Sequence, residues 1–363
     1  MDQRMIPAAK LPVESFIFSR AIIVFIHWNW LANHEEAVTT AKNYERTNKK
    51  KLMDEKPLIS ILTTVYNARP YIEQTVRSVL DQTYDHWEWI IVDDGSTDGT
   101  GEILRSIKDK RVKYVLQENT GHIAKNVNRA LEMSRGDIIA MLDGDDCLPR
   151  DKFEIQVKGF ADQDVVLSYG ECFLINSEGK KIGHVGLPED SRIAANNPMG
   201  SALMRLLVDI DCFICNTTVM YRRTSLSDVG GFVDAYNLFP DFSTWVKLSL
   251  KGRFLPVPAC LGYYRKHLGS ATFNVNQEYY YENQVNFLGE FCQQNAEKLR
   301  DIGLHFDMGA LELHWKNIKR KNNLIYRLTL FCSFMGADLI TPLICYINKR
   351  SKIKKLIRTI LQI

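Results

Sequence analysis

The sequence predicts an α/β fold, with a mainly parallel central sheet flanked by helices and a helical C-terminal extension. Three observations carry that expectation. Short β-rich apolar runs alternate with segments of helical spacing between about residues 57 and 150. Two of those runs end in acidic, glycine-containing loops, which is where ligands sit in an open parallel sheet. From about Gln277 onward the pattern becomes mostly helical.

The elements follow in order. "LISILTTVYN" is a first strand, and "YIEQTVRSVLDQTY" a helix with its apolar face at Ile72, Val76, Val79 and Leu80. "WEWIIVDDGSTDGT" is a second strand running into a Gly/Asp/Ser/Thr loop. "TGEILRSIKD", "RVKYVLQ", "AKNVNRALEMS" and "GDIIAMLDGDD" continue the alternation as helix, strand, helix and strand. Crossovers of this kind make a sheet buried on both faces. "DVVLSYGECFLINSEGKKIG" reads as a hairpin turning at Ser177 to Gly179, and a Pro/Asn-containing loop near 188–198 follows it. "FICNTTVMYRR" reads as a strand, "DFSTWVKLSLKG" as a helix and "RFLPVPACLGYYRKH" as a strand.

Across 363 residues, 45% hydrophobic and 25% charged side chains supply a substantial core in one large or two ordinary domains. Net charge is +3, yet six Lys/Arg and no Asp/Glu lie between Lys349 and Ile363, so positive charge is local to the C-terminus. Of eight cysteines only Cys212 and Cys215 are close, with no second pair or histidine to complete a zinc site; reduced, buried thiols and a reducing cytoplasm are expected.

The N-terminal "SFIFSRAIIVFIHWNWLANHEE" is too short and too interrupted, by Arg20, His27 and Asn29, for a signal peptide or a span. It reads as an interfacial helix or one packed on its own domain. A Lys-rich linker over 39–57 follows. The expected organisation is residues 1–56 for that helix and linker, 57–275 for a catalytic domain with halves 57–150 and 151–275, and 276–363 for the helical region. In that last region "LIYRLTLFCSFMGADLITPLICYI" carries Arg327, Asp338 and Pro342, which suit an interfacial or re-entrant segment better than a span. "NKRSKIKKLIRTILQI" interleaves cations with Ile and Leu, as a basic amphipathic helix on an anionic leaflet does. The alternative is a solvated or docked tail. Peripheral attachment to the cytoplasmic face of a membrane is the expectation.

The chemistry lies in the acidic strand ends. Asp93 and Asp94 close one strand, and Asp143, Asp145 and Asp146 close another, which the alternation places beside it. A single acidic loop is ordinary turn chemistry. Two at one ligand edge point to a divalent cation, because Mg²⁺ and similar hard ions take one or two carboxylates together with substrate phosphates. Such an ion offsets charge on a departing diphosphate.

The blocks "PLISILTTVYNARPYIEQTVRSVLDQTYDHWEWIIVDDGSTDGT", "ENTGHIAKNVNRAL", "GDIIAMLDGDDCLPRDKF" and "VMYRRTSLSDVGGF" resemble those of family 2 glycosyltransferases of the GT-A fold, over roughly residues 57–270. The resemblance implies an inverting, metal-dependent transferase. It places Thr64, Tyr66 and Asp94 around the base of a nucleotide sugar and leaves Asp93 to shape the loop. It matches the D-x-D element to Asp143 and Asp145, contacting ribose and holding Mn²⁺ or Mg²⁺ against the diphosphate. Asp146 either shares the metal or bonds the following loop. Uridine is the family's commonest base.

Transfer to a hydroxyl needs a general base opposite the leaving group. The family takes it from an acidic pair after a "GGF" block, and Asp241 matches the second acid, with Pro240 where a Glu is usual. The same residue also suits an N-terminal cap, and both roles can coexist. Asp234 is the reserve. Lys125 is expected to reach the diphosphate or to be a solvated helix lysine. Arg265 and His267 in "YYRKH" are candidates for diphosphate or loop contacts.

The expected substrates are a nucleoside diphosphate sugar, such as a UDP-sugar, and a glycan or lipid-linked acceptor, in polysaccharide or glycoconjugate synthesis. A non-catalytic sugar-nucleotide scaffold is the alternative. A sugar nucleotidyltransferase is weaker, because "TTVYNARPY" lacks a basic glycine-rich loop. A dinucleotide oxidoreductase is weaker still, because no strand is followed by G-x-G-x-x-G and "GSTDGTG" has the wrong spacing. Nucleic-acid binding has no basic–aromatic patch to support it.

Overall fold

A computed structural model describes residues 56–187, 206, 213–233, 239–274 and 276–302. The N-terminal aromatic stretch, the linker up to residue 55, the loop near 188–198, Cys212, Asp234 and the tail beyond residue 302 lie outside the described residues. The chain divides into one unit of residues 40–291 and a second of 1–39 with 292–363.

The first unit is organised around a sheet whose first four strands are parallel. β1 (Ile59–Val65) lies between β2 (Trp87–Asp93) and β4 (Ile138–Met141), with β3 (Val112–Leu116) beyond β2. Helices α1 (Ile72–Leu80), α2 (Thr100–Arg105) and α3 (Ile123–Met133) connect them. β2 and β4 are buried along their whole length, which is why they read as continuous apolar runs. The buried polar residues of β1, Ser60 and Thr63, are paired. Ser60 Oγ donates to Glu88 Oε1 at 2.7 Å and accepts from Gly136 N at 2.7 Å, and Thr63 Oγ1 accepts the Trp89 indole N–H at 2.9 Å. On α1, Ile72 and Val79 are fully buried, whereas Leu80 is exposed. Thr75 is buried with them because its hydroxyl reaches the backbone of the acidic loop after β4.

The rest of the sheet makes it mixed. α4 (Lys152–Val157) leads to β5 (Val165–Ile175), which turns back into β6 (Lys181–Val185) through a loop that Asn176 closes by accepting from Glu178 N and Lys180 N. β7 (Met220–Arg222) is inserted antiparallel between β4 and β5. α5 (Arg223–Ser227), α6 (Pro240–Leu248) and the long β8 (Arg253–Arg265) follow, β8 pairing parallel with β5 along its length. Two short turns of helix frame α8: α7 (Ala271–Asn274) precedes α8 (Gln277–Gln294), and α9 (Ala296–Asp301) follows.

Two expectations are corrected. The acidic clusters do not close neighbouring strands, because β1 separates β2 from β4; the chain winds outward from β1 in one direction and then crosses to its other side. In "FICNTTVMYRR" only Met220–Arg222 is strand. Asn216–Thr218 form a tight turn, since Thr218 N and Thr218 Oγ1 both donate to the Cys215 carbonyl.

The crossing between β1 and β4 leaves little room. A Cβ on Gly144 would stand 2.7 Å from Val65 Cγ2 and 3.0 Å from Val65 Cβ, so the loop after β4 closes on the end of β1 only with glycine there. Gly144→Ala is expected to destabilise the fold by about 1–3 kcal/mol through overpacking. Urea unfolding measures this, and a midpoint equal to the parent's would mean the loop has space to move.

Candidate active site at the carboxyl edge of the sheet

The two acidic loops and the end of β1 form one edge. Thr64 is half-buried opposite Val92 of β2, and Tyr66, just past the strand, is exposed. Asn67 adopts φ 49°, a left-handed conformation that Asn tolerates. Its N–H donates to Ser96 Oγ and its Oδ1 accepts from Thr97 N, each at 2.9 Å, tying the β1 loop to the β2 loop.

Asp93 and Asp94 have different tasks. Asp93 is fully buried, and its carboxylate accepts from Ser96 N and from the Tyr114 hydroxyl, both at 2.8 Å; it shapes the loop. Gly95 follows at φ 84°, where a Cβ would also lie 2.9 Å from Asn119 N. Asp94 Oδ1 accepts from Gln117 Nε2 at 2.7 Å and Thr120 N at 2.9 Å, while Oδ2 accepts from Gly121 N at 3.1 Å. Burial pushes the Asp94 pKa up, but the donors from Thr120 and Gln117 outweigh it and hold the group below the usual carboxylate range. Oδ2 keeps acceptor capacity for a further N–H. Lys125 is exposed on α3, just beyond this loop.

The second loop, residues 143–146, turns through a bond from Asp146 N to the Asp143 carbonyl. Thr75 Oγ1 donates to the carbonyls of Gly144 and Asp146. Asp146 faces inward: Oδ1 accepts the Arg265 backbone N–H at 2.8 Å, and Oδ2, buried, has no protein partner. Arg265 is completely buried. Its Nε donates to the Asp145 carbonyl, one terminal nitrogen to the carbonyls of Asn176 and Ser177, and the other to Gln74 Oε1, with Tyr71 stacked on the guanidinium. With those donors engaged, Arg265 makes loop contacts. His267 meets the site directly, its Nε2 2.9 Å from Asp145 Oδ2.

Asp143 accepts from Asn216 Nδ2 at 3.4 Å, and burial together with the Asp145 charge raises its pKa to about 7. Burial, followed by Asp145 and Asp143, pushes Asp146 well above the usual range. Burial first, and the charge of Asp143 second, raise Asp241 to about 8. Asp241 lies in the first turn of α6, behind Pro240. The capping position is Phe239, and no side chain caps the helix, so the capping role expected of Asp241 is absent. α6 is fixed to the sheet by Trp245 Nε1 donating to Tyr221 Oη at 2.8 Å.

The donor set suits a hard divalent cation. Carboxylates of raised pKa and an orphaned buried oxygen crowd one loop, yet among the described residues no three His, Cys, Asp or Glu side chains form a self-contained metal site. One or two carboxylates plus substrate oxygens are what Mg²⁺-type binding uses.

The "Glycosyl transferase family 2" model matches residues 60–230. TuaG of Bacillus subtilis, a glycosyltransferase assigned to teichuronic acid biosynthesis, is 36% identical over 218 residues, covering 58% of this chain and 79% of TuaG. The chain belongs to the family 2 glycosyltransferases.

WfaP of Escherichia coli, a UDP-Glc:alpha-D-GlcNAc-diphosphoundecaprenol beta-1,3-glucosyltransferase, is 29% identical over 63% of this chain and 85% of WfaP. Against one uncharacterized glycosyltransferase of Haemophilus influenzae and three of Rickettsia, the match spans 21–51% of their lengths, and against a second of Haemophilus influenzae 92%. The crystal structure of S. aureus TarS 1-349 with UDP-GlcNAc superposes at a TM-score of 0.52 with 19% identity, over 73% of this chain and 74% of that one, in agreement with the GT-A fold.

In this glycosyltransferase, sequence reasoning missed Thr75, Gln74, Asn67 and Asn216. Asn67 alone carried a signal, as an Asn next to a strand end before "ARP"; the others reach the site from distant segments.

The raised carboxylates fix a pH dependence. A carboxyl whose pKa is higher when folded keeps a proton that the unfolded chain has lost, so stability falls as pH rises from about 4 through 7 to 8 for Asp143 and Asp241. Asp94, shifted downward, contributes stability that is lost only on acidification. With a chelator present, the urea midpoint is expected to be lower at pH 8.5 than at pH 5.5, and Asp241→Asn to reduce that difference. A midpoint flat across this range would contradict the raised pKa of these carboxyls.

Proposed function

We propose that residues 57–275 transfer a sugar from a UDP-sugar to a hydroxyl of a lipid-linked glycan acceptor, with inversion, in polysaccharide or glycoconjugate synthesis. The observation that carries this reading is Asp241 in the first turn of α6, with its carboxyl pKa raised to about 8 by burial and then by the Asp143 charge. A carboxylate of that basicity works near neutral pH as a general base. Asp241 takes the proton of the acceptor hydroxyl as its oxygen bonds the anomeric carbon, and the bond to the diphosphate breaks on the opposite face.

Asp94 accepts a ring N–H of the base, beside Thr64 and Tyr66. Asp143 and Asp145 would hold the divalent cation with the diphosphate, His267 orienting Asp145 through its 2.9 Å contact. Bound there, Mn²⁺ or Mg²⁺ supplies charge neutralisation for the leaving diphosphate. Lys125, in the first turn of α3 after the Thr120–Gly121 segment that donates to Asp94, is proposed to approach the same group. A UDP donor and a lipid-diphosphate acceptor are supported by the substrates in WfaP's name. Among the described residues no helix is long and apolar enough to cross a membrane; the basic tail from Lys349 is proposed to bring the enzyme to an anionic surface.

Titration calorimetry with UDP, GDP and dTDP, with and without Mn²⁺, tests the donor. UDP binding is expected to depend on the cation, and Asp145→Asn to abolish that dependence; cation-independent binding in both proteins would remove the metal assignment. Asp241→Asn is expected to leave UDP affinity within about twofold and to lower transfer by roughly 10²–10⁴-fold. Near-parental turnover would place the base elsewhere.

A further inference from the structure

We propose that Asn216 reads the donor sugar: its Oδ1 accepts a hydroxyl of the transferred hexose while its Nδ2 holds Asp143. The inference deepens the transferase reading and rests on it.

The sheet orders the site. Its strands run β3-β2-β1-β4-β7, so the Asp94 loop lies on one side of β1 and the Asp143–Asp146 loop on the other. Because β7 is antiparallel to β4, the residues before β7 come back along the carboxyl edge beside Asp143; Met141 N donates to the Val219 carbonyl, and Asn216 Nδ2 reaches Asp143 Oδ2 at 3.4 Å. On the transferase reading, a base at β2 and a diphosphate at β1 and β4 put the transferred sugar next along this edge, toward β7. Asn216 stands at that third position.

The turn that carries it is rigid. The carbonyl of Thr218 accepts from Lys152 Nζ and Gln156 Nε2, both at 2.9 Å, and Lys152 is fully buried on α4. Thr218 Oγ1 closes onto the Cys215 carbonyl and accepts from Gly170 N. A Cβ at Gly262 of β8 would stand 2.5 Å from Thr217 Cγ2, so β8 presses on the turn from below. A side chain presented by a turn fixed from three elements is preorganised for recognition.

The side chain is half satisfied. Asn216 Nδ2 has Asp143, but Oδ1 is buried with no partner. A buried acceptor left unmade is unfavourable, and native interiors leave few of them. Asp143 meets Asn216 through an acceptor oxygen and not through a donor, so the group we infer for Oδ1 is a ligand hydroxyl. A hexose hydroxyl has the required O–H and is the polar group that enters at this position.

The test uses the full chain and titrates UDP, UDP-glucose, UDP-galactose, UDP-N-acetylglucosamine and UDP-N-acetylgalactosamine with Mn²⁺, alongside GDP and dTDP. The parent is expected to discriminate among the UDP-hexoses. Asn216→Ala is expected to weaken the preferred UDP-hexose about tenfold more than it weakens UDP, the difference being the value of one hydrogen bond. Asn216→Asp, which keeps an acceptor but loses the donor to Asp143, is expected to retain the parent's order of preference. Equal losses for UDP and UDP-hexose in Asn216→Ala, or an unchanged order and affinity, would overturn the proposal. A parent that binds no nucleoside diphosphate would overturn the transferase reading itself.

Discussion

Arg265 lies with no exposed surface at the end of β8, and the acidic loop is built around it. Its side chain donates to the carbonyls of Asp145, Asn176 and Ser177 and to Gln74, and its backbone N–H donates to Asp146. One cation therefore joins β8, the β5–β6 turn, α1 and the loop after β4. A guanidinium suits the task, because its planar fork serves several acceptors at once and stays charged when buried. Thr75 donates to the same loop from α1, and Gly144 lets it close on Val65.

With the backbone so constrained, the loop tolerates an unfavourable side-chain arrangement. Asp143 and Asp146 are pushed toward the protonated state by burial and by Asp145, and Asp241 by burial and Asp143. A scaffold without ligand gains nothing from this. A site that receives a cation and a diphosphate does, since the repulsion between carboxylates becomes attraction for the ion. The two acids at the end of β2 contrast with these: both carboxylates of Asp93 and Asp94 are met by protein donors, so that loop is finished before any ligand arrives.

This contrast follows the winding of the sheet. β1 to β3 run outward on one side and β4 returns on the other, which puts the switch point of the sheet between β1 and β4. β7, entering antiparallel, brings the Asn216 turn beside Asp143, and α6, held by Trp245 on Tyr221, carries Asp241. Four segments distant in sequence thus meet at one edge.

The alternating pattern alone determined the α/β class, the strands up to β4 and the two acidic ends, because a strand buried on both faces has to be continuously apolar and its ligand loop has to be polar. Asp94, Asp143, Asp145 and Asp241 were legible as candidates because carboxylates at strand ends or beside a glycine block are locally conspicuous. Tertiary structure decided the rest. Only the strand order shows that β1 separates the two clusters, because adjacency in a sheet is set by crossovers and not by sequence distance. Only packing shows that Arg265 organises the loop and that Thr75 and Asn216 serve it, since a hydroxyl or amide on a helix or turn has no local signature of the backbone carbonyl or carboxylate that folding brings to it.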